Sequence, residues 1–261
     1  MTRQLSIRDV RAVVEKVPDL SGIVLVGGQA LNFWAEALGI ANEGSAGSYG
    51  PAVSGDIDFL GSATSARAFG AATGGKVKIA GMDDAHTPNT ALVTVDIEGE
   101  EHLIDFLGGL KGFSAQELER VRLWAVPVGL VPGRHQPVHV MHPAHCLESQ
   151  LENVYGHVLN RRAEIGGERY AGRVKLAIET CKRTTLRQVE LGDARSALKI
   201  AEKVHTLSLL PAAMRARFED DVHVEEGIPE SPMMPKEFLE RRLPQLRRYH
   251  ERKVRKYQRM T

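Results

Sequence analysis

The chain has 261 residues, of which 43% are hydrophobic and 26% are charged, enough apolar material for one large domain or two modest ones. The formal net charge is only +1, which excludes a chain that is basic or acidic throughout. No apolar run approaches the ~20 residues that span a bilayer, and the N-terminus shows no apolar signal core, so we expect a cytoplasmic protein with no membrane partner. The two cysteines, Cys146 and Cys181, form no Cys-x-x-Cys pair, so we expect no disulfide framework.

The first half of the chain alternates short apolar runs with helix-spaced stripes. The predicted helices span 6–17, 29–38, 62–73 and 114–119. The predicted strands span 20–26, 56–60, 76–80, 91–97, 102–107, 121–131 and 136–141. The last four of these strands form two hairpins. The Gly/Ser-rich stretch 40–54 is either a loop that closes over a nucleotide or a tolerated surface insertion.

The second half is predicted to be helical from Pro143, since proline favours the first position of a helix. Further helices are expected at about 168–187, 193–205, 211–218 and 236–257, and a proline-rich loop at 221–235. The pattern predicts an α+β fold with a sheet domain at 1–142, in which helices flank a mixed sheet, followed by a helical domain at 143–261.

Three short motifs bring chemistry-bearing residues into the first half. The run Ile23–Val26 ends in Gly27-Gly28-Gln29, where a helix begins. Downstream, Asp56 and Asp58 lie in an apolar strand, and Asp105 lies in a later one. Residues i and i+2 of a strand point to the same face, so the first two carboxylates project together.

Carboxylates held side by side repel each other unless a cation lies between them. Mg²⁺ prefers oxygen ligands and is usually completed by substrate phosphates. Glycines allow backbone N–H groups to approach a phosphate, and the helix that follows offers its positive N-terminal end. The motifs therefore indicate a divalent-metal site beside a phosphate cradle, in which two metals could clamp the attacking and leaving oxygens of a displacement at phosphorus.

In this order the motifs resemble the nucleotidyltransferase superfamily typified by DNA polymerase β, and most closely the AbiEii-type nucleotidyltransferases of toxin–antitoxin systems. The resemblance covers roughly residues 20 to 110. It implies a nucleotidyltransferase fold at 1–142 that uses Mg²⁺ or Mn²⁺ and an NTP such as ATP. Asp56, Asp58 and Asp105 would be catalytic metal ligands, and Gly27, Gly28 and Gln29 would bind the nucleotide phosphates. Here Gln29 stands where the family often has Ser or Thr.

Two alternatives compete with these assignments. Asp96 is a second strand-borne acid and the rival of Asp105 as the third carboxylate; we favour Asp105 because its flanks are more apolar. A zinc site could instead use the His and Cys residues crowded within 135–146, which are His135, His139, His142, His145 and Cys146. Zinc needs about four convergent ligands, and the strand pattern does not make these residues converge. We expect them to be hairpin and helix-cap residues.

The C-terminal segment is strongly basic. Residues 241–261 contain nine Lys or Arg and a single acid, Glu251, so their charge is +8 and that of the remaining chain is −7. This asymmetry predicts either a polyanionic partner or a solvated helix face. The candidate RNA-phosphate ligands are Arg247, Arg248, Arg252, Lys253, Arg255 and Lys256, with Tyr249 and Tyr257 available to stack on bases.

By resemblance, the acceptor of the nucleotide would be an RNA 3′ end, such as that of tRNA, and a cognate antitoxin protein would restrain a toxin-like activity. Other functional hypotheses remain open at this point. The acceptor could be a protein hydroxyl or a small molecule such as an aminoglycoside, or the chain could be a non-catalytic nucleic-acid-binding module that uses its basic helix.

Overall fold

The computed structural model describes residues 4–40, 55–81, 88–130, 136–156 and 163–260, with side chains omitted at 163–169. Nearly all of the predicted Gly/Ser loop at 40–54, together with His135, lies outside these residues. The strands are β1 (Val24–Val26), β2 (Ile57–Leu60), β3 (Lys76–Ile79), β4 (Asn89–Ile97), β5 (Glu100–Leu107), β6 (Val126–Val128) and β7 (Val138–Val140).

The helices alternate with the strands at first and then follow one another. They are α1 (Ile7–Val14), α2 (Gly27–Ala37), α3 (Ala63–Thr73), α4 (Ala115–Trp124), α5 (Pro143–Tyr155), α6 (Ala163–Glu190), α7 (Ala194–Ser208), α8 (Pro211–Asp220) and α9 (Leu243–Gln258). A 3₁₀ turn at Val224–Gly227 and a π turn at Phe238–Arg242 precede α9.

The described strands form one mixed sheet in the order β3-β4-β5-β2-β1-β7-β6. β2 runs parallel to β5 and β1 runs parallel to β7, while the other neighbouring pairs are antiparallel. The predicted α+β class is confirmed. The register places Val26 opposite Asp58, and Asp58 opposite Asp105. The central strands thus bring two of the three motifs into direct lateral contact.

The predicted start of the sixth strand is wrong. A strand was expected from Val121, but α4 continues through Trp124 and leaves only Val126–Val128 for β6. The reason lies at the start of the helix, where Ser114 and Glu117 form a reciprocal capping box. Val121 is fully buried on the inward face of that helix. The cap and this anchor outweigh the β propensity of the valine.

The sheet packs around a cluster of phenylalanines beneath the acidic strands. Phe59 of β2, Phe106 of β5 and Phe69 of α3 are buried, and their ring centroids lie 5.4–5.7 Å apart. Phe33 is also largely buried, and the indole N–H of Trp34 donates to the carbonyl of Met141. The aromatic residues that flank the motifs therefore belong to the core or, for Trp34, pack against it.

The chain divides into two compact units, one of residues 1–37 and 51–149 and the other of residues 38–50 and 150–261. The division falls within α5, whereas the sequence indicated a boundary at the start of that helix. In the second unit α6 packs against α7, and the 3₁₀ turn rests on both. Gly227 of that turn packs closely, since a β-carbon there would lie 3.1 Å from Val204 and 3.3 Å from the carbonyl oxygen of Ile178. Within the described residues, no helix is both long and apolar enough to cross a membrane.

Candidate metal and nucleotide site

Three carboxylates converge at one edge of the first unit, as the sequence predicted. Asp58 and Asp105 lie opposite each other on the parallel strands β2 and β5, and Asp56 lies immediately before β2. One carboxylate oxygen from each of the three residues lies within 4.8 Å of the other two. This spacing allows one cation to contact all three side chains.

The electrostatics of the cluster favour a cation. Asp56 is exposed, whereas Asp58 and Asp105 are partly buried. Burial, and then the negative charge of Asp56, raise the pKa of Asp105, although a hydrogen bond from Asn89 acts in the opposite direction. The three side chains offer only carboxylate oxygens, a donor set that suits Mg²⁺ or Mn²⁺ better than soft metals.

Gly27 lies against this cluster and is required there for two reasons. Its φ angle is +62°, a left-handed conformation that favours glycine. A β-carbon at this position would overlap the carboxylate of Asp58. The helix α2 begins at Gly27, two residues earlier than predicted, so its first turn starts beside the acidic cluster.

The side chain of Gln29 does not lie where the nucleotide-binding prediction requires. It is fully buried, its amide nitrogen donates to the carbonyl of Leu5 at 2.9 Å, and its oxygen accepts a hydrogen bond from Asn32. The side chain therefore fastens the N-terminal segment to α2 and is turned away from solvent. The prediction that this side chain binds a phosphate or base is corrected accordingly.

Asn89 was not identified from the sequence. Its Nδ2 donates to Oδ1 of Asp105 at 3.1 Å, across the β4–β5 pair. The next residue, Thr90, donates through its hydroxyl to the carbonyls of Gly61 and Phe106. The prediction began this strand at Ala91, so both polar residues were left outside it. The sequence feature that could have identified Asn89 and Thr90 is their position just before an apolar strand.

Asp96, the rival third acid, is remote from the cluster. It is exposed, it pairs with Glu101 near the hairpin turn, and its Oδ1 accepts a hydrogen bond from the N–H of Gly99 at 2.9 Å. The residue opposite Asp105 is Leu92, four positions earlier on β4 and therefore about 13 Å along the strand. Asp105, and not Asp96, completes the acidic cluster.

The described histidines of this segment, His139, His142 and His145, form no metal cluster with Cys146. Over the described parts of the chain, the three aspartates are the sole group of three or more potential ligands that could share an ion. The N–H of Ala144 donates to Nδ1 of His142, and the thiol of Cys146 donates to the carbonyl of Met141. The Trp124 ring packs against the imidazoles of both His142 and His145. The described residues of this segment therefore pack around the start of α5.

The predicted RNA-contacting residues on α9 fall into two groups. Arg247 forms an ion pair with Glu230, and Arg255 lies 3.8 Å from Glu251. The other predicted cations are exposed, and they are Arg248, Arg252, Lys253 and Lys256. Tyr249 is exposed, but Tyr257 stacks on Phe218 with ring centroids 5.7 Å apart. One face of the Tyr257 ring is therefore already covered by Phe218, whereas Tyr249 is the more exposed of the two tyrosines.

Comparison of the chain with protein-family models, curated proteins and solved structures found no match.

Proposed function

We propose that this chain is a metal-dependent nucleotidyltransferase, which transfers NMP from an NTP to an acceptor hydroxyl. The observation that carries the proposal is the convergence of Asp56, Asp58 and Asp105 beside Gly27, at the start of α2. The three carboxylates provide the negative charge that retains a divalent cation, and the start of α2 beside them provides backbone N–H groups for a phosphate.

Each residue has a distinct role in this proposal. Asp56 and Asp58 hold Mg²⁺ or Mn²⁺, and the bound ion would neutralise the phosphates of the NTP. Gly27 and Gly28 allow the phosphates to approach the first turn of α2, to which Gln29 contributes only its backbone. Asp105 completes the metal site, orients the acceptor hydroxyl and accepts its proton. The acceptor oxygen forms a bond to the α-phosphorus, the α–β phosphoanhydride bond breaks, and pyrophosphate leaves.

For the acceptor we propose an RNA 3′ hydroxyl, such as that of tRNA. The support for it is the +8 charge of residues 241–261, much of which is exposed on α9. The toxin-like role and the antitoxin partner are carried by the family resemblance alone. A second candidate, a non-catalytic nucleic-acid-binding module, is supported by the same exposed cations and would need none of the three aspartates.

A labelling assay tests the proposal. The protein is incubated with Mg²⁺ or Mn²⁺, each of the four NTPs labelled with ³²P at the α-position, and either total RNA or cell lysate. The inactive variant carries Asp56→Asn and Asp58→Asn. The matched control is Asp96→Asn, which neutralises an acid on the same sheet outside the cluster.

Label on RNA that requires the cluster but not Asp96 supports the whole proposal and identifies the nucleotide. Label on protein or on a small molecule supports nucleotidyl transfer but contradicts RNA as the acceptor. RNA binding without any transfer, unchanged by the double substitution, overturns the enzyme proposal in favour of the binding module.

A further inference from the structure

The helix α9 has one buried seam and one charged outer face. Leu243, Leu246 and His250 are buried along the seam, and Val254 and Tyr257 continue it as partly exposed residues. At about 100° per residue these five positions centre on one side of the helix. The opposite side of α9 therefore faces away from the residues that cover the seam.

A row of arginines occupies that opposite side. Arg248, Arg252, Arg255 and Arg259 follow the i, i+4, i+7, i+11 spacing of a single helix face, and all four are exposed. With a rise of about 1.5 Å per residue, the row is about 16 Å long. We call these four residues the arginine stripe. Its centre lies diametrically opposite the buried seam, so it is a surface feature and takes no part in the core.

The charge of the stripe is barely compensated within the second unit. Among the described residues, Arg255 is the one arginine of the four that forms an ion pair, with Glu251, and that pair is exposed and 3.8 Å apart, a geometry that contributes little. No acid in the described part of the chain forms an ion pair with Arg248, Arg252 or Arg259. An exposed stripe of like charges is more costly for the helix than a mixed surface, because cations at i, i+4 repel each other.

An aromatic side chain lies beside the stripe. Tyr249 is 42% exposed, and its ring has Arg252 and Lys253 each at 5.8 Å from the centroid. The imidazole of His205 on α7 also contacts the Tyr249 ring in an edge-on arrangement, with centroids 6.1 Å apart. Exposed aromatic rings amid cations are the usual platform on which an unpaired base stacks.

We propose that the arginine stripe and Tyr249 form a binding surface for single-stranded RNA. The arginines contact successive phosphates, and Tyr249 stacks on a base. An acidic protein or an anionic lipid surface could use the charge, but neither would need an exposed ring next to the row. Phosphate contacts of this kind give affinity without sequence specificity. The surface does not depend on the aspartate cluster, so it stands or falls independently of nucleotidyl transfer.

The test measures how RNA affinity depends on salt. A fluorescein-labelled oligouridylate of about 16 nucleotides is titrated with the full chain, in the Asp56→Asn, Asp58→Asn background and in EDTA, so that turnover cannot contribute. Each phosphate contact to a single strand contributes about 0.7 to the slope of log Kd against log salt, so four contacts predict a slope of about 3.

The informative variant is Arg248→Gln, Arg252→Gln, Arg259→Gln, which keeps good helix formers in α9. Its slope should fall by about 2 relative to the parent. The matched control, Lys16→Gln, Lys78→Gln, Arg120→Gln, removes the same number of exposed positive charges from the first unit and should leave the slope unchanged. Separately, Tyr249→Leu should weaken binding about tenfold at constant salt while keeping the slope.

Several results would overturn the proposal. One is a slope that the stripe variant does not lower, and another is an equal loss in the control variant. Duplex RNA that binds as tightly as the single strand would remove the stacking argument. Anionic vesicles that bind while the oligonucleotide does not would assign the stripe to a membrane surface. A circular dichroism spectrum and melting temperature like those of the parent show that any loss belongs to the stripe.

Discussion

The side-chain position of Gly27 is occupied by the carboxylate of Asp58. A β-carbon on Gly27 would overlap that carboxylate, and the φ angle of +62° would strain any L-residue there. From the sequence, the approach of a phosphate is the reason for a glycine at this position. The structure adds that the glycine is already required by its neighbour on β2, whether or not a nucleotide is bound.

We therefore expect Gly27→Ala to damage the site beyond its cost in stability. The left-handed backbone alone should cost about 1–2 kcal/mol of unfolding free energy. Displacement of Asp58 should also weaken Mn²⁺ binding at least tenfold, measured by isothermal titration calorimetry. The matched control is Gly22→Ala, since Gly22 has a φ of +77° but open space around it. Equal Mn²⁺ affinity in the two variants would contradict the steric account.

A second prediction concerns Asn89, which we assign as a positioning residue for Asp105. Asn89→Ala removes the 3.1 Å hydrogen bond to the carboxylate and should weaken Mn²⁺ binding about tenfold, as expected for a group that orients a metal ligand. Gln136→Ala is the control, because it removes an amide hydrogen bond to Asp19 on the surface. If both substitutions leave Mn²⁺ affinity unchanged, Asn89 has no positioning role.

The acidic cluster could be predicted because its signal is local. Strand alternation predicted that Asp56 and Asp58 share a side, and the three carboxylates do converge, although Asp56 itself precedes β2. The apolar flanks of Asp105 marked it as strand-borne. The pairing of Asp58 with Asp105 is a matter of register between distant strands, which periodicity alone does not specify. Asn89 was missed for the same reason, since its importance appears only across the β4–β5 pair.

Long-range packing also explains the other differences. Nothing near Gln29 in the sequence indicates that Leu5 will lie against it and accept its hydrogen bond. Similarly, the partner of Tyr257 is Phe218, which belongs to another helix. Composition and helical spacing indicate that such residues are on a helix, but they do not determine which neighbour will cover them.

A third prediction uses the raised pKa of Asp105. Burial and the charge of Asp56 disfavour the ionised carboxylate of Asp105 in the folded state. Ionisation of Asp105 therefore lowers the free energy of unfolding at pH values above its raised pKa. This destabilisation disappears as the pH falls below the pKa of the residue in the unfolded chain. In metal-free buffer at pH 7, Asp105→Asn should raise the melting temperature by no more than about 4 °C, which is about 1 kcal/mol.

With saturating Mn²⁺, the wild type should instead have the higher melting temperature, because it keeps a metal ligand that Asp105→Asn has lost. Differential scanning fluorimetry with and without Mn²⁺ measures both effects. The control, Asp96→Asn, should respond to Mn²⁺ as the wild type does. A variant that Mn²⁺ stabilises as much as the wild type would show that Asp105 does not bind the ion.

A fourth prediction concerns acid stability. Burial lowers the pKa of His142 to about 4, and its Nδ1 already accepts a hydrogen bond from the N–H of Ala144. Because the pKa of His142 is lower in the folded state, its contribution to the free energy of unfolding is fully present above pH 6.5, the approximate pKa of histidine in the unfolded chain. This contribution is lost as the pH falls towards 4. The loss should be at most about 3 kcal/mol. Urea unfolding between pH 4 and 7 should show a flatter dependence for His142→Gln, and an unchanged dependence would contradict the assignment.

The most direct test of the central claim compares two positions of the same label. Identical reactions with RNA contain Mn²⁺ and an NTP labelled with ³²P at either the α- or the γ-phosphate. Nucleotidyl transfer predicts an acceptor labelled only from the α-position, with the γ-label recovered in pyrophosphate and both signals lost in Asp56→Asn, Asp58→Asn. Label on the acceptor from the γ-position would instead mean phosphoryl transfer, and label from neither position would contradict the assignment of the aspartate cluster as a catalytic centre.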